Sequence, residues 1–205
     1  MWELGPIWDD EVALAIRWRS ATPFPHLVID DFVPVHAHAE LLALVDDESI
    51  EAYRADIFEL DASRPEPRPH RFRALRDAFA TLLAAPLARI TGKVVERCDM
   101  RAYAYGAGHY LLPHSDHQAG VRRALAFAYY LPTAEPPIGG ELELFACTFD
   151  EGQIASTTSA KLIEPQPNRL VVFDVGDVSL HQVREVLGGM RLSLSGWFYP
   201  PSEAR

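Results

Sequence analysis

Three residues of metal-ligating type carry the clearest chemical signal in this sequence: His114, Asp116 and His181, the last 65 residues after the aspartate (181 − 116 = 65). Two imidazoles and one carboxylate on one face of an octahedral metal form the facial triad that holds non-heme Fe(II) and leaves other positions open. Arg191 follows ten residues later (191 − 181 = 10), and its planar guanidinium can bind a carboxylate through two parallel hydrogen bonds. The set indicates an Fe(II) site beside a carboxylate site, as a 2-oxoglutarate-dependent oxygenase would need.

The local sequence suits strands better than helices at these positions. In an extended HYLLPHSDHQ, residues i and i+2 point to one side, so His114 and Asp116 would face one metal while Ser115 faces away. In a helix the two ligands would instead be about 200° apart. A lone H-x-D pair also has a plain alternative, a surface or capping histidine, and the ordered set of four residues favours the metal site.

Two later segments predict the strands that would complete the site. KLIEPQPNRLVVFDVGDVSLHQV brings a β-branched run to His181, and MRLSLSGWFY alternates with a period of two, which places Arg191 and Trp197 on one face. An antiparallel barrel or jelly roll can set these strands beside the first one.

Five stretches resemble a known family: PFPHLVIDDFV, YGAGHYLLPHSDH, RRALAFAYYLP, GGELELF and SLHQVREVLGGMRLSLSGWFY. They are similar to the Fe(II)/2-oxoglutarate dioxygenases of the prolyl-hydroxylase superfamily, most of all to the ribosomal-prolyl-hydroxylase branch. The resemblance spans roughly residues 22–199 and implies a mainly β fold, a double-stranded β-helix (jelly-roll) core buttressed by N-terminal helices. It also implies Fe(II) as the metal, 2-oxoglutarate and dioxygen as co-substrates, and ascorbate as a further candidate cofactor.

Matching positions assigns a catalytic set by resemblance: His114, Asp116, His181 and Arg191. The first three correspond to the metal ligands, and Arg191 to the arginine that pairs with the 5-carboxylate of 2-oxoglutarate. Tyr105 and Tyr130 match tyrosines whose hydroxyls help to bind the co-substrate, although both could be core residues with a satisfied hydroxyl. Tyr129 should face away from Tyr130, because adjacent strand residues alternate.

Other positions near the site are ambiguous or depart from the family pattern. Arg123 matches a common arginine on the strand that enters Tyr130, but it could equally be a solvated charge. His109 stands where the branch often has an acidic residue. His117 has the wrong parity for a ligand, and Trp197 is expected to pack under the site.

Periodicity and turn residues divide the chain into a helical N-terminal part, about residues 1–93, and a jelly-roll core, about 94–199, within a single domain over 1–205. The elements expected in the first part are a helix over 9–19, a strand over 26–30, a helix over Val35 to Val45 that buries Leu41, Leu42 and Val45, and a helix in FRALRDAFATLLAAPLARI that Pro86 ends or kinks. Loops are expected at 62–70 and 149–168, each either a lid over the site or a plain connection.

Composition restricts the class of partner. A net charge of −10 argues against nucleic acid, which is bound mainly through Lys and Arg. A cluster of basic residues is still present: Arg54, Arg64, Arg68, His70, Arg71, Arg73 and Arg76. This cluster is interpreted either as a solvated loop and helix face or as a rim of the site that attracts an acidic substrate.

Neither a membrane nor an export signal is indicated. No window reaches the ~18 consecutive apolar residues that a membrane helix needs, and the N-terminal MWELGPIWDDE is acidic where a signal peptide would be basic. Cys98 and Cys147 suggest neither a disulfide framework nor a zinc site. A cytoplasmic enzyme is expected, in a compartment that would help keep iron as Fe(II).

The expected reaction is hydroxylation of an unactivated C–H bond. The prime substrate is either a proline in a peptide or protein, as in prolyl hydroxylases, or a free amino acid or other small metabolite. A third alternative is a metal-binding jelly-roll module without catalytic activity, which the presence of both Arg191 and Tyr130 disfavours. The sequence leaves the prime substrate open.

Overall fold

The N-terminal half contains the helices. The computed structural model describes residues 2–46, 48–66 and 70–202. In these ranges the helices are a 3-10 turn at Pro6–Asp9, α1 (Glu11–Ser20), α2 (Val35–Asp46) and α3 (His70–Thr91). All three predicted α-helices are present. Pro86 does not end the third, which continues to Thr91 with Pro86 buried inside it.

Strands make up most of the remaining chain. In chain order those of the described residues are β1 (His26–Ile29), β2 (Ile50–Ala55), β3 (Phe58–Ser63), β4 (Arg97–Cys98), β5 (Arg101–Tyr105), β6 (Tyr110–His114), β7 (Leu125–Leu131), β8 (Ile138–Gly139), β9 (Leu142–Asp150), β10 (Gln153–Ile163), β11 (Leu170–Asp174), β12 (His181–Val183), β13 (Val186–Gly188) and β14 (Arg191–Tyr199).

Within the described ranges, twelve of these strands form one curled antiparallel sheet, in the order β1-β11-β7-β14-β5-β3-β6-β12-β9-β10, with β2 beside β3 and β4 beside β14. Strands β8 and β13 form a separate pair. The sheet and the helices that precede most of it confirm the predicted mainly β, jelly-roll class.

Two segments differ from the sequence prediction. The hairpin of β2 and β3 lies in the part expected to be helical, and β3 extends to Ser63, inside the loop predicted over 62–70. The rest of that loop includes residues 67–69, which lie outside the described residues. The loop predicted over 149–168 is largely a strand, since β10 pairs along β9.

The two faces of β7 divide the interior. Phe127 and Tyr129 pack in the cluster that includes Phe79 and Leu83 of α3, whereas Tyr130 lies in the cluster on the opposite side of the sheet. All seven residues of β7 are buried. Because successive strand residues alternate between faces, one side of the strand rests on the helices and the other is free to form a site.

Burial on α2 follows the prediction except at one residue. Leu41 and Val45 are buried as expected, but Leu42 is only half-buried and Leu44 takes its place in the core.

No helix among the described residues combines the length and apolar character needed to cross a lipid bilayer.

Candidate active site

The three predicted ligands come together at the junction of β6 and β12. His114 ends β6 and is the cross-strand partner of His181, the first residue of β12, while Asp116 lies two residues beyond the strand. Their ligand atoms all lie within 4.8 Å of one another. Nε2 of His114 is 3.7 Å from Asp116 Oδ1, and Nε2 of His181 is 3.5 Å from Asp116 Oδ2.

Both imidazoles are oriented by backbone carbonyls. Nδ1 of His114 lies 2.9 Å from the carbonyl oxygen of Leu112, and Nδ1 of His181 lies 2.9 Å from that of Ser179. Since a carbonyl can only accept, the proton sits on Nδ1 and the Nε2 lone pair points toward the carboxylate. Burial lowers the pKa of His181 below its ordinary value, so this imidazole is neutral, the form that binds metals.

The donor set therefore fits a divalent transition metal. Two imidazole nitrogens and a carboxylate oxygen lie within 4.8 Å of one another, as a facial triad requires. Asp116 is itself buried, at 6% exposure, and a positive ion would compensate its charge.

Arg191 lies at the start of β14 with its side chain buried at 3% exposure. Its guanidinium carbon is 4.9 Å from the ring centre of Tyr105 and 5.0 Å from that of Tyr130. Nη2 donates to the Tyr130 hydroxyl over 3.4 Å, whereas the buried Nε has no hydrogen-bond partner among the described residues. An unpaired buried donor is costly, so this group is arranged for an acceptor that comes from outside the chain.

Of the two predicted tyrosines, Tyr105 lines the cavity that contains the triad, whereas Tyr130 contacts Arg191 but is not part of that lining. Tyr105 is paired across the strands with Arg191, and burial raises the pKa of its hydroxyl, so it stays a neutral donor. Tyr129 points the other way: its hydroxyl donates to Asn168 Oδ1 at 3.0 Å and contacts His38.

A cavity of about 410 Å³ lies at the predicted site. Its lining includes all three triad residues together with Arg191 and Tyr105. The volume is within the range of small-ligand sites, and most of the wall is apolar with a few convergent polar groups.

Arg123 is part of this cavity rather than a solvated charge, so that alternative is wrong. Its guanidinium carbon is 3.7 Å from the ring centre of Trp197, and Nη1 donates to the backbone oxygen of Asp116 at 3.0 Å. Trp197 thus packs beneath the arginine at the edge of the site.

The other ambiguous histidines lie outside the triad. Nδ1 of His109 accepts from the amide of Gly106 at 3.2 Å, which holds a tight turn. His117 Nε2 is 3.5 Å from an oxygen of the exposed Asp177, as expected for a residue that is not a ligand.

Three arginines of the predicted basic cluster are paired with carboxylates. Arg54 pairs with Glu59, Arg64 with Glu51 and Arg76 with Asp77. Arg68 lies outside the described residues. Exposed pairs of this kind support the solvated interpretation over an attractive rim.

Several residues of the site are not predicted by any sequence pattern. Arg101, Tyr103 and Tyr53 line the cavity but belong to no recognisable motif. Gly140 has φ +72°, and a Cβ there would lie 2.8 Å from Val186 Cγ2 and 3.2 Å from Arg191 Cδ. The paired glycines in GGELELF were the available signal, since close approach at positive φ is a common reason for glycine.

Comparison with known proteins identifies the domain type. Residues 100–199 match the family model of the 2OG-Fe(II) oxygenase superfamily. The chain is 36% identical over 195 residues to prolyl 3-hydroxylase OGFOD1 of Mus musculus, an alignment that covers 89% of this chain and 34% of the relative. For the same protein of Xenopus laevis the identity is 32% over 189 residues, covering 88% and 36%. The chain therefore spans about a third of the length of these relatives.

Solved structures share the fold. A prolyl-4-hydroxylase of Pseudomonas putida superposes with a TM-score of 0.69 at 24% identity, covering 92% of this chain and all of that one. A prolyl hydroxylase of Trichoplax adhaerens, in complex with a peptide fragment of the hypoxia inducible factor oxygen degradation domain, gives 0.67 at 15% identity, covering 94% and 91%. With the triad, the jelly-roll sheet and the family match in agreement, this chain contains a 2OG-Fe(II) oxygenase domain, matched over residues 100–199.

Proposed function

We propose that this chain is a prolyl-hydroxylase-like oxygenase that uses Fe(II) and 2-oxoglutarate to hydroxylate an unactivated C–H bond. The observation that carries the proposal is the shared cavity: a His-Asp-His triad within 4.8 Å opens into the same space as a buried arginine with an unpartnered donor. A bare metal site would need no buried guanidinium, whereas a dicarboxylate co-substrate does.

Each group has a defined task in this proposal. His114, Asp116 and His181 hold the metal, and the bound metal supplies the oxidising chemistry. Arg191 binds the distal carboxylate of 2-oxoglutarate through Nε and Nη2, with the Tyr130 hydroxyl beside it.

Other groups complete the pocket. The neutral Tyr105 hydroxyl offers a further donor on the same wall. Most of the remaining cavity wall is apolar.

Proline is the favoured target because the two relatives are named prolyl 3-hydroxylases and the structural neighbours include prolyl hydroxylases. One of those neighbours was solved with a peptide. We therefore propose a proline within a peptide or protein as the prime substrate, with dioxygen and 2-oxoglutarate as co-substrates. A reducing compartment such as the cytoplasm would keep Fe(II) reduced and both free cysteines, Cys98 and Cys147, as thiols.

Succinate release tests the proposal directly. The protein is incubated with Fe(II), 2-oxoglutarate, ascorbate and dioxygen, with a library of proline-containing peptides or a panel of free amino acids. We expect succinate release that depends on a peptide, together with a peptide mass gain of one oxygen atom. Turnover with free amino acids alone would favour the metabolite hydroxylase, and no binding of 2-oxoglutarate at all would contradict the family of reactions proposed.

A further inference from the structure

Positively charged side chains outnumber negatively charged ones in the described lining of the cavity. Among the described residues, its lining contains three guanidinium groups, those of Arg101, Arg123 and Arg191, and one carboxylate, that of Asp116. Asp116 belongs to the triad, Arg191 is assigned to 2-oxoglutarate, and Arg123 is held against the Asp116 backbone. The role of Arg101 is unexplained.

Arg101 is clamped in position without a counter-ion. Its guanidinium carbon lies 4.8 Å from the ring centre of Tyr53 and 5.3 Å from that of Tyr103, and Nε donates to the Ser63 carbonyl at 2.6 Å. Nη2 is enclosed and has no hydrogen-bond partner, and no ion pair to Arg101 occurs in the described part of the chain. Guanidinium groups stacked on aromatic rings in this way present a rigid donor fork to an acceptor.

The strand register places Arg101 at the opposite end of the pocket from Arg191. Arg101, Tyr103 and Tyr105 are at alternate positions on β5 and share a face. Arg191 pairs with Tyr105 across the strands, and Ser195 pairs with Arg101. Four residues at about 3.3 Å each separate the two positions on β5 by about 13 Å.

Tyr103 lies between these two ends on β5 and lines the same cavity as the triad. Burial raises the pKa of its hydroxyl, so this side chain stays neutral and does not compensate the charge of Arg101. A ligand that contacts Arg101 would therefore occupy the cavity into which the metal ligands open.

We propose that Arg101 binds a carboxylate of the prime substrate and so selects substrates with an acidic group close to the carbon that reacts. The inference rests on the proposed function and names its substrate class. A carboxylate matches the planar fork and compensates the excess positive charge of the pocket, which a neutral carbonyl does not. The carboxylate is either that of a free amino acid or an acidic side chain next to proline in a peptide.

Binding without turnover tests this proposal. Protein loaded with Mn(II) and 2-oxoglutarate under nitrogen is titrated calorimetrically with two matched pairs of probes: L-proline and L-prolinamide, and a blocked Gly-Pro-Asp-Gly tetrapeptide and its Gly-Pro-Asn-Gly counterpart. The variants are Arg101→Met, which keeps the packed stem, and Arg101→Lys, which keeps the charge. Arg97→Met is the matched control, because Arg97 stacks on Tyr199 at 4.0 Å but is not part of the cavity lining.

We expect the wild type to prefer the acidic member of one pair by roughly 10-fold or more, as for a hydrogen bond to a charged group. The pair that shows the preference identifies the source of the carboxylate. Arg101→Met should reduce the preference to near unity, Arg101→Lys should retain part of it, and Arg97→Met should leave it unchanged. Each variant should bind 2-oxoglutarate as the wild type does.

Three outcomes overturn the inference alone: no preference by the wild type in either pair, no binding of any probe, or an unchanged preference in Arg101→Met. A wild type that fails to bind 2-oxoglutarate before the probes are added overturns the proposed function and this inference with it.

Discussion

Replacing Arg191 with leucine should separate co-substrate binding from metal binding. The guanidinium is buried at 3% exposure, and its only side-chain hydrogen bond among the described residues is a long one of 3.4 Å to Tyr130, with Nε unpartnered. Losing one partner of a buried charge pair costs roughly 2–5 kcal/mol. At about 1.4 kcal/mol per tenfold change, this is about 30- to 5000-fold in affinity. Because both Nε and Nη2 would lose a charged acceptor, we expect a loss of about 100-fold or more.

The assay is calorimetric titration of 2-oxoglutarate into Mn(II)-loaded protein without oxygen, accompanied by a metal titration. Arg191→Leu should bind Mn(II) normally, since the ligands are elsewhere, and removing an unpaired buried charge should not lower the free energy of unfolding. Arg184→Leu is the control, because that side chain is 49% exposed and absent from the cavity lining. Equal affinity for 2-oxoglutarate in Arg191→Leu and wild type would refute the assignment.

Three further predictions concern the metal, the pocket wall and pH. His181→Ala removes one of three ligands and should abolish the weak visible absorption band of the anaerobic Fe(II)–2-oxoglutarate complex; an unchanged band would contradict the ligand assignment. Gly140→Ala should lower the free energy of unfolding by roughly 1–3 kcal/mol and weaken 2-oxoglutarate binding, because φ is +72° and the new Cβ would lie 3.2 Å from Arg191 Cδ. The control is Gly152→Ala, where φ is similar, +79°, and a Cβ would meet no atom within 4 Å. If denaturant melts show that both variants lower the free energy of unfolding equally, the contact with Arg191 does not contribute. Burial lowers the pKa of His26, and the ammonium of the neighbouring Lys161 lowers it further. The stability that the neutral imidazole contributes is therefore complete above about pH 6.5 and is lost as pH falls through the pKa of the folded state. Denaturant melts of the metal-free wild type between about pH 7.5 and pH 5.5 should show this loss of stability, and His26→Gln should show a smaller loss. Equal losses in the two proteins would contradict the role of His26.

The triad was predictable because its signal is local. His114 and Asp116 are two residues apart, and an extended chain predicts both side chains on one side; β6 ends at His114, and the segment that follows it still brings the Asp116 carboxylate to the imidazole. The alternation around Arg191 fixed its face in the same way. Resemblance added Tyr105 and Tyr130, and the structure places both of these rings within about 5 Å of the Arg191 guanidinium.

Non-local features could not be read from the chain. Residues 153–162 of β10 are exposed, so this strand lacks the apolar alternation that marks a half-buried strand, and its sequence predicts a loop. Helix α3 passes through Pro86 because Leu83, Leu87 and Ile90 around it are buried and their packing outweighs the lost hydrogen bond. Arg101 enters the cavity only because β2 and β3 bring Tyr53 and Ser63 to it. The assignment of residues 1–205 to one domain stays a prediction.

The pairing of His114 with His181 has a mechanical consequence. In the described strand order, β12 is the element that joins the β9–β10 hairpin to β6, and it has three residues. A metal held by both imidazoles would cross-link strands 67 residues apart in sequence (181 − 114 = 67) at this narrow junction. Closing so long a loop restricts the unfolded chain and couples local opening of the hairpin to loss of the ion. Amide hydrogen exchange in β9 and β10 should then slow on metal loading, so that this hairpin reports whether the centre is filled.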